Sequence, residues 1–469
     1  MARGKKKEEL TLEEKLEQAL VPVEEQPYEV PENWCWVRLK EICEFERGIT
    51  FPASSKERVE TEDNIACLRT ANIQDELEID DLIYVNKGFM KNNDSKLVRK
   101  NDIIMSTANS RELVGKVSYV HNVIKPMTFG GFLLNIRAKK VLNKYLFYRL
   151  KFEFLTGKFR GESTQTTNIA NINTKTLGNC YIPLPPLQEQ QRIVEQIESL
   201  FAKLDEAKEK VQEVIDGYAI RETTILQKAV SGELTKGWRE KNGISKKAWK
   251  VISLKECGNW FGGGTPAKSK NVYWDGGTIP WITSKDMKDR LVEDSLLHIT
   301  QEGVNHSSAQ YCDKPAVLFV MRSGILRRIL PVCMVRVPFT VNQDLKAVIP
   351  EKIQLEYMYW ACTAYEKDIR ENCMKSGTTV ESIEAKKLFE YELPLPDERE
   401  QKVIVGVIEN LMCKEESAKQ LAVQILKRID IMKKSILAKV FRGELGTNNL
   451  EEESSVKLLK QILEQRKIK

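Results

Sequence analysis

The chain contains a long internal repeat, and this repeat constrains its fold more than any other sequence feature. The stretch Y-I-P-L-P-P-L-Q-E-Q-Q-R-I-V begins at Tyr181, and the similar stretch Y-E-L-P-L-P-D-E-R-E-Q-K-V-I-V begins at Tyr391. Pro183 faces Pro394 at an offset of 211 residues, and the match continues without insertion to a G-E-L segment in each copy. Farther upstream the offset loosens to about 214 or 215, where R-L-K-E-I-C faces S-L-K-E-C-G. Repeats of this length predict two similar halves related by pseudo-twofold symmetry and argue against a short-period solenoid.

The proline-rich start of each copy predicts where a long helix begins. The prolines at 185–186 and at 394–396 cannot lie inside a helix, so they force extended backbone before it. In the second copy, Asp397 followed by Glu400 is typical of a capping box. Each copy is therefore expected to end a globular domain and to begin a long helix.

Apolar residues in both helices recur in alternating steps of four and three, which is the heptad pattern of a coiled coil. A helix over 193–225 would be about 50 Å long at about 1.5 Å per residue. Such a stripe can pack against its own domain, but two equal stripes at equivalent places favour an antiparallel pair formed within the chain. Glu415 is the single polar residue in the second stripe. The predicted interface residues are Ile193, Ile197, Leu200, Leu204, Val211 and Val214 in the first helix and Ile404, Ile408, Leu411, Ile425 and Ile429 in the second.

Before each helix lie about 150 residues of mixed pattern. Short strand-like runs such as 102–106, 131–136 and 316–321 alternate with turn residues. Helical patterns follow at 144–154 and 355–370. The expected fold class is therefore α+β, with two repeated α+β domains separated by two long helices that form an antiparallel coiled coil.

Composition limits the class of protein. At 469 residues the chain is too long for one hydrophobic core, and no apolar run approaches the roughly 20 residues that span a bilayer. Its basic start lacks the apolar core of a secretory signal, which predicts a cytoplasmic protein without a membrane partner. Ten cysteines without a C-x-x-C pair and three histidines favour buried reduced thiols over a metal site or a disulfide framework.

Motifs for catalysis are missing from the sequence. It has no G-x-x-x-x-G-K-[ST] phosphate loop, no G-x-S-x-G elbow, and no [DNS]-P-P-[YF] segment of an adenine methyltransferase. The run P-D-E-R-E-Q-K from Pro396 resembles the metal-binding arrangement of some nucleases. The repeat argues against that reading, because the first copy has Pro186 in place of Asp397 and Gln191 in place of Lys402. We therefore expect no catalytic residue and no metal site.

The globular halves carry clusters of polar residues at turn positions, each of which could also be an ordinary solvated loop. Arg suits guanine, Asn and Gln suit adenine, and Ser and Thr suit phosphates, so these clusters are candidate contacts to DNA. At an offset of 214, residues 107–110 face residues 321–324, so one shared loop carries different side chains and the two halves could read different short sequences. The candidates are Arg69, Thr70, Asn72, Thr107, Asn109, Ser110, Arg111, Gln165, Thr166, Thr167 and Asn168 in the first half, and Thr283, Ser284, Lys285, Arg322, Ser323, Arg327, Arg328, Asn342, Gln343, Ser376, Thr378 and Thr379 in the second.

Together these motifs make the chain similar to the specificity subunits of type I restriction-modification systems. The similarity rests on the duplicated P-L-P-P-L-x-E-Q helix start and on several shorter segments along nearly the whole chain. These segments are G-E-L at Gly232 and Gly443, G-G-T-P at Gly263, V-L-F-V-M-R-S-G at Val317, and the tail E-E-S-S-V-K-L-L-K-Q-I-L-E-Q-R from Glu452.

The resemblance implies two target recognition domains that bind a bipartite, asymmetric site in double-stranded DNA. It also implies methyltransferase (M) subunits and restriction (R) motor-nuclease subunits as partners. The chain itself is then expected to bind no cofactor, with S-adenosylmethionine, ATP and Mg²⁺ on the partner subunits. The helix pair is expected to set the spacing of the half-sites, which lie about one DNA turn, ~34 Å, apart.

The predicted boundaries follow the repeat and the resemblance. They give an N-terminal extension (1–27), recognition domain 1 (28–185), the conserved central helix of the family (186–230), a linker (231–248), recognition domain 2 (249–396), the conserved C-terminal helix (397–440) and a tail (441–469). The amphipathic piece at 11–20 is expected, like the tail, to pack on a partner subunit or near the helix ends.

Two other functions stay open. A coiled-coil scaffold whose globular halves bind proteins would lack steeply salt-dependent, sequence-dependent affinity for DNA. A self-sufficient modification enzyme would need the catalytic motifs that the sequence lacks.

Overall fold

The computed structural model describes residues 10–165, 169–375 and 380–465. The chain divides into unit 1, formed by Met1–Lys210 and Ile425–Lys469, and unit 2, formed by Val211–Gln424. Each unit contains one globular domain, the start of one long helix and the end of the other. The sequence repeat is therefore also a structural repeat.

The strands of the two units follow one plan. Unit 1 contains β1 (Cys35–Arg38), β2 (Cys43–Arg47), β3 (Asn64–Leu68), β4 (Ile83–Asn86), β5 (Ile103–Ser106), β6 (Ala108–Asn109), β7 (Val117–Tyr119), β8 (Met127–Phe129), β9 (Leu133–Ala138), β10 (Thr164–Gln165), β11 (Ala170–Asn171) and β12 (Tyr181–Leu184). Unit 2 contains β13 (Lys250–Ser253), β14 (Gly258–Gly262), β15 (Ile279–Ile282), β16 (Leu291–Val292), β17 (His298–Ile299), β18 (Ala316–Val320), β19 (Val332–Val335), β20 (Thr340–Val341), β21 (Leu345–Pro350) and β22 (Glu392–Leu395).

Sheet order shows the shared topology. In unit 1 the main sheet has the order β2-β9-β5-β7, and in unit 2 the equivalent order is β14-β21-β18-β19-β16. A smaller sheet, β4-β3-β8 in unit 1 and β17-β15-β20 in unit 2, contains one antiparallel and one parallel pair in both units. Each unit also has a two-stranded antiparallel sheet, β1-β12 or β13-β22, whose second strand ends just before the long helix that starts in that unit. Unit 1 adds the short sheet β10-β11-β6.

The helices complete both units. They are α1 (Leu12–Ala19), α2 (Leu39–Ile42), α3 (Asn143–Leu155), α4 (Lys158–Glu162), α5 (Thr174–Gly178), α6 (Leu187–Asp216), α7 (Tyr218–Val230), α8 (Lys236–Lys241), α9 (Gln301–Asn305), α10 (Leu355–Ala364), α11 (Glu366–Cys373), α12 (Ala385–Glu390), α13 (Glu398–Val440) and α14 (Ser455–Gln465). In unit 1, α3 packs on β7 and β9, and in unit 2 the equivalent α10 packs on β18 and β19. The predicted α+β class with repeated domains and long helices is confirmed.

A repeated glutamine explains why the proline motif positions the helix start. In unit 1 the backbone N–H of Leu142 donates to Gln190 Oε1, and Gln190 Nε2 donates to the carbonyl of Pro185, both at 2.9 Å. In unit 2 the backbone N–H of Gln354 donates to Gln401 Oε1 and Gln401 Nε2 donates to the carbonyl of Pro396, again at 2.9 Å. Proline cannot donate a backbone hydrogen bond, so its carbonyl is the group available to the glutamine. The same side chain thus ties each helix start to its own domain.

The neighbouring glutamate is buried in both units. Glu189 accepts from Trp34 Nε1 at 2.7 Å and from Thr447 Oγ1 at 3.3 Å, and it is fully buried. Burial raises the pKa of Glu189, while the hydrogen bonds from Trp34 and Thr447 oppose that rise. The segment that follows the end of α13 therefore closes over the start of α6 in unit 1.

Glu400 occupies the equivalent position in unit 2. It accepts from Trp249 Nε1 at 2.7 Å, from Thr235 Oγ1 at 2.8 Å and from Arg239 Nη1 at 2.5 Å. Asp397 accepts the backbone N–H of Glu400 at 2.9 Å, so it caps α13 as predicted. The prediction that Glu400 completes a capping box is wrong, because its carboxylate bonds these three donors instead.

The long helices pair in both units. In unit 1, Lys433 of α13 forms an ion pair with Asp205 of α6 and lies 5.0 Å from the centroid of the Phe201 ring. In unit 2, Arg221 Nε of α7 donates to Glu415 Oε2 of α13 at 2.8 Å. Later residues of one helix meet earlier residues of the other, which confirms the predicted antiparallel pair. The polar Glu415 is thus satisfied by an arginine on the facing helix.

The predicted seam residues differ in their surroundings. Ile193 and Ile197 belong to the core of unit 1, and Ile404 and Ile408 belong to the core of unit 2. Ile429 is also buried. The seam residues Leu200, Leu204, Val211, Leu411 and Ile425 are half-buried.

Two details of the first helix depart from the heptad prediction. The helix predicted over 193–225 is interrupted at Gly217, between the end of α6 and the start of α7. Hydrogen bonds from Gly217 N to Glu213 O and from Arg221 N to Gly217 O, at 3.0 and 3.1 Å, keep the local path helical. Val214, just before this point, is 40% exposed, so its predicted place in the interface does not fit the structure. A glycine lowers helix stability, and the break shifts the apolar face.

The N-terminal helix α1 packs against the tail helix α14 within unit 1. Thr11 and Glu14 form a capping box at its start. Ala19 of α1 lies in the same apolar core as Leu459 and Ile462 of α14. Helices α1 and α14 thus both contribute to the core of unit 1.

Glycine is required where the loop after β2 or β14 meets the backbone of the smaller sheet. A Cβ on Gly263 would lie 1.7 Å from the carbonyl oxygen of Val341, and one on Gly48 would lie 2.1 Å from that of Gly130. We expect Gly263→Ala to lower the thermal unfolding midpoint by several degrees, because backbone atoms must move by more than an ångström. Gly324→Ala in the same unit is the control, since nothing lies within 4 Å of its Cβ position. Equal midpoints for the two variants in calorimetry would contradict this account.

Candidate nucleic-acid interface

Separate segments of unit 1 meet where its central strands end. The backbone N–H of Gly130, in the turn between β8 and β9, donates to the carbonyl of Leu68 at the end of β3, at 2.9 Å. The N–H of Thr107, just after β5, donates to the carbonyl of Phe132 in the same turn, also at 2.9 Å. The N–H of Ile172, just after β11, donates to the carbonyl of Thr107 at 2.9 Å. We call this set of segments interface 1.

The same backbone bonds occur at equivalent positions in unit 2. Asn342 N donates to Ile282 O at 3.0 Å, Met321 N donates to Asp344 O at 2.8 Å, and Ile383 N donates to Met321 O at 2.8 Å. We call this set interface 2. The clusters that the sequence places far apart along the chain are therefore neighbours within each domain.

Three predicted DNA contacts are instead buried parts of the loops. Asn72 is 2% exposed, accepts the N–H of Arg69 at 2.7 Å and donates to the carbonyl of Glu78 at 2.9 Å. Thr107 is 7% exposed and donates through Oγ1 to Phe132 O at 3.0 Å. Asn342 is 8% exposed and accepts the N–H of Asp344 at 3.2 Å. In the structure these side chains form hydrogen bonds within the loops.

Three further candidate side chains form hydrogen bonds with nearby residues. Thr283 donates through Oγ1 to Asp286 Oδ2 at 2.7 Å. Ser323 Oγ accepts the N–H of Ile325 at 3.4 Å. Asn109 donates to Ser106 Oγ at 3.1 Å and remains half-buried. Asn, Ser and Thr are the residues that most often bond to nearby backbone in turns, so a sequence pattern cannot separate this role from DNA reading.

The remaining candidates point outward. Thr70 and Ser284 are half-buried, while the other side chains of this group are exposed: Ser110 and Arg111 in interface 1, and Lys285, Arg322, Arg328 and Gln343 in interface 2. They present cations, hydroxyls and an amide, which are the groups that bind phosphates and base edges.

Two candidate arginines form surface ion pairs. The half-buried Arg69 contacts the Asp81 carboxylate at 2.7 Å, and the exposed Arg327 contacts the Glu381 carboxylate at 2.5 Å. The hydrogen bond from Arg327 lowers the pKa of Glu381. Pairs of this kind contribute little to stability, so a phosphate can replace the carboxylate at small cost.

Several candidates lie outside what the structure describes. For Gln165 only the backbone, in β10, is described. Thr166, Thr167, Asn168, Ser376, Thr378 and Thr379 fall in the ranges 166–168 and 376–379, outside the described residues.

The structure adds residues that sequence reasoning missed. A cavity of about 580 Å³ in unit 1 is lined by Arg47, Lys56 and Phe132 together with the predicted Arg69 and Thr70. In unit 2 a cavity of about 780 Å³ is lined by Lys288 and Arg290 together with the predicted Ser284, Lys285 and Ser323. The sequence did contain one signal for Arg47. It directly precedes Gly48, which is the counterpart of Gly263 in the G-G-T-P segment.

Most of the cysteines are buried, and the possible metal ligands are not grouped, in the part of the chain that the structure covers. Nine of the ten free cysteines are buried, and Cys413 is exposed. Burial raises the pKa of the Cys67 thiol to about 12. Within 10–165, 169–375 and 380–465, no three His, Cys, Asp or Glu side chains are grouped to hold a metal ion, and no helix is long and apolar enough to cross a membrane.

Comparison with known proteins assigns the family. A family model described as "Type I restriction modification DNA specificity domain" matches residues 31–216 and 246–427. The EcoKI specificity subunit of Escherichia coli strain K12 is 25% identical over 435 residues, which cover 89% of this chain and 90% of that protein. The EcoR124I/EcoR124II specificity subunit of Escherichia coli is 44% identical over 162 residues, which cover 34% of this chain and 40% of that protein.

Solved structures agree on the fold. The HsdS subunit from Thermoanaerobacter tengcongensis has a TM-score of 0.59 at 19% identity, with 90% of this chain and 100% of that chain covered. A chain from a study of type I R-M system assembly has a TM-score of 0.62 at 20% identity, with 89% and 100% covered. With a specificity domain matched in each half, this chain belongs to the family of type I restriction-modification DNA specificity proteins.

Proposed function

We propose that the chain is the DNA sequence-recognition subunit of a type I restriction-modification complex. Each globular domain reads one part of a bipartite, asymmetric site in double-stranded DNA. The observation that supports this most is the recurrence of one backbone arrangement in interfaces 1 and 2 with different outward side chains. Interface 1 presents Arg111, whereas interface 2 presents Lys285 and Arg322.

Different side chains on one backbone frame are what two unlike half-sites need. The strand ends and the turns between strands set the position of each loop through bonds between main-chain atoms, which do not depend on the side chains. Outward residues can then differ without loss of the fold. Arginine reads guanine in the major groove, while lysine and hydroxyl groups also bind phosphates.

The catalytic steps then belong to partner subunits. The chain scaffolds methyltransferase and motor-nuclease subunits and is itself non-catalytic. S-adenosylmethionine, ATP and Mg²⁺ are then bound by those partners. The paired helices α6, α7 and α13 connect the two domains, and their length sets the gap between the half-sites.

A random-sequence DNA library methylated by the chain, co-expressed with the methyltransferase encoded beside it, tests the proposal. We expect adenine modification within a two-part motif of fixed gap. The double variant Ser110→Ala, Arg111→Ala is expected to lose about tenfold discrimination in one half-site, because both exposed side chains lie on interface 1. Arg322→Ala is the reciprocal control and should change only the other half-site. Equal loss in both half-sites for either variant would rule out independent reading.

The spacing role predicts a separate effect of helix length. A heptad inserted in α6 after Leu204 and a matching heptad in α13 beside Lys433 keep the ion pair between Asp205 and Lys433 in register. The gap between the half-sites is expected to grow by about three base pairs, since seven helical residues add about 10 Å. The half-sites themselves should stay the same. A changed half-site with an unchanged gap would contradict the spacing role.

A coiled-coil scaffold without sequence-specific DNA binding is the alternative function. The two functions differ in salt dependence, because phosphate contacts release counterions and protein contacts need not. For the DNA-reading function, a fourfold rise in salt should weaken duplex binding about tenfold for every two phosphate contacts. Titration of a labelled duplex with the purified complex measures this slope. A flat response would favour the scaffold.

A further inference from the structure

Phe132 is an exposed aromatic residue fixed at the centre of interface 1. Its side chain is 60% exposed. Its carbonyl accepts from Thr107 N at 2.9 Å and from Thr107 Oγ1 at 3.0 Å, so two hydrogen bonds from Thr107 hold the backbone that carries the ring. An aromatic side chain left mostly in water does not contribute the favourable free energy that its burial would give. An exposed ring on a rigid backbone is therefore a candidate for contact with a partner.

The internal repeat shows that the fold does not need an apolar side chain at this position. In unit 2 the equivalent residue is Asp344, which precedes β21 as Phe132 precedes β9. The Asp344 carbonyl accepts from Met321 N at 2.8 Å, the same bond that Phe132 forms with Thr107. One backbone position thus carries an acid in one domain and a phenyl ring in the other. Such a difference is expected if the two domains bind different ligands.

Two exposed cationic side chains, Arg47 and Lys56, line the same cavity as Phe132. Arg47 is exposed and donates through Nε to the carbonyl of Gly131 at 3.2 Å, next to Phe132. Lys56 is exposed and lines the same cavity of about 580 Å³. The carboxylate of Asp81 already contacts Arg69. An apolar ring near two exposed cations is complementary to a ligand that carries both apolar groups and phosphates.

We propose that Phe132 is a specificity-determining residue that contacts the C5-methyl group of a thymine in the major groove, while Arg47 and Lys56 contact the adjacent phosphates. This inference rests on the proposed function and adds to it the base that one residue reads. The thymine methyl is the apolar group on the major-groove edges of the base pairs, and phenylalanine is a side chain suited to it. The outward Arg111 and Thr70 on the same interface are also of the types that read base edges or bind phosphates.

Uracil substitution tests the contact directly, because uracil is thymine without the methyl group. The motif is first read from the methylated library, and each thymine of the half-site read by unit 1 is then replaced by uracil in a synthetic duplex. We expect one such replacement to weaken binding by the wild-type complex about fivefold. Phe132→Ala should bind the thymine and uracil duplexes equally, and Phe132→Leu should keep part of the preference. Ile124→Ala, at another apolar residue of unit 1 that is 71% exposed, should behave as the wild type.

Other outcomes would overturn the assignment. If Phe132→Ala kept the wild-type ratio of thymine to uracil affinity, the ring would not read the methyl group. If that variant lost the same factor on every duplex, the ring would contribute only to non-specific binding. Melting curves of all variants are measured alongside, and Phe132→Leu keeps the test valid if the alanine variant unfolds. A wild-type complex without any motif would refute the proposed function itself, which the library reveals before any variant is made.

Discussion

The buried glutamate at each helix start is the interaction on which the rest of the structure depends. A carboxylate without access to water must be satisfied by donors, and here the donors come from distant parts of the chain. For Glu400 they are an indole, a hydroxyl and a guanidinium, supplied by residues 235, 239 and 249. Removal of one partner from a buried pair such as Arg239–Glu400 costs about 3 to 5 kcal/mol, because the other charge stays buried. The carboxylate thereby joins three parts of unit 2: the globular domain, the start of α13, and the segment that follows α7.

In both domains the backbone and the side chains serve different purposes. Main-chain hydrogen bonds set where the loops lie, and they recur at equivalent positions in both units. Buried Asn72 and Thr107 reinforce the loops in unit 1, while Asn342 does so in unit 2. Other side chains of the same loops, such as Ser110, Arg111 and Lys285, are exposed. Such a division lets one fold carry unrelated specificities, which is the property that a recognition subunit requires.

Much of this architecture could be predicted from the sequence, because it rests on periodic or repeated patterns. The duplicated proline motif predicts both helix starts, and β12 and β22 end just before them. The heptads predict the antiparallel pair. What could not be predicted depends on contacts that are remote in sequence. Asn72 and Ser110 look alike as polar turn residues, yet one is buried and the other is exposed. The sequence alone suggests that Phe132 is a core residue, but the turn between β8 and β9 places it at the surface.

The ion pair between Arg221 and Glu415 has a consequence for how the two helices evolve. It lies in an otherwise apolar stripe, at a donor–acceptor distance of 2.8 Å. Sliding one helix by a heptad would set the arginine opposite Ile408 or Ala422, both of them buried and unable to accept a hydrogen bond. The pair thus permits one alignment and penalises its neighbours. An insertion in one helix alone would break that alignment, so lineages of this protein can change the length of the helices only in both at once.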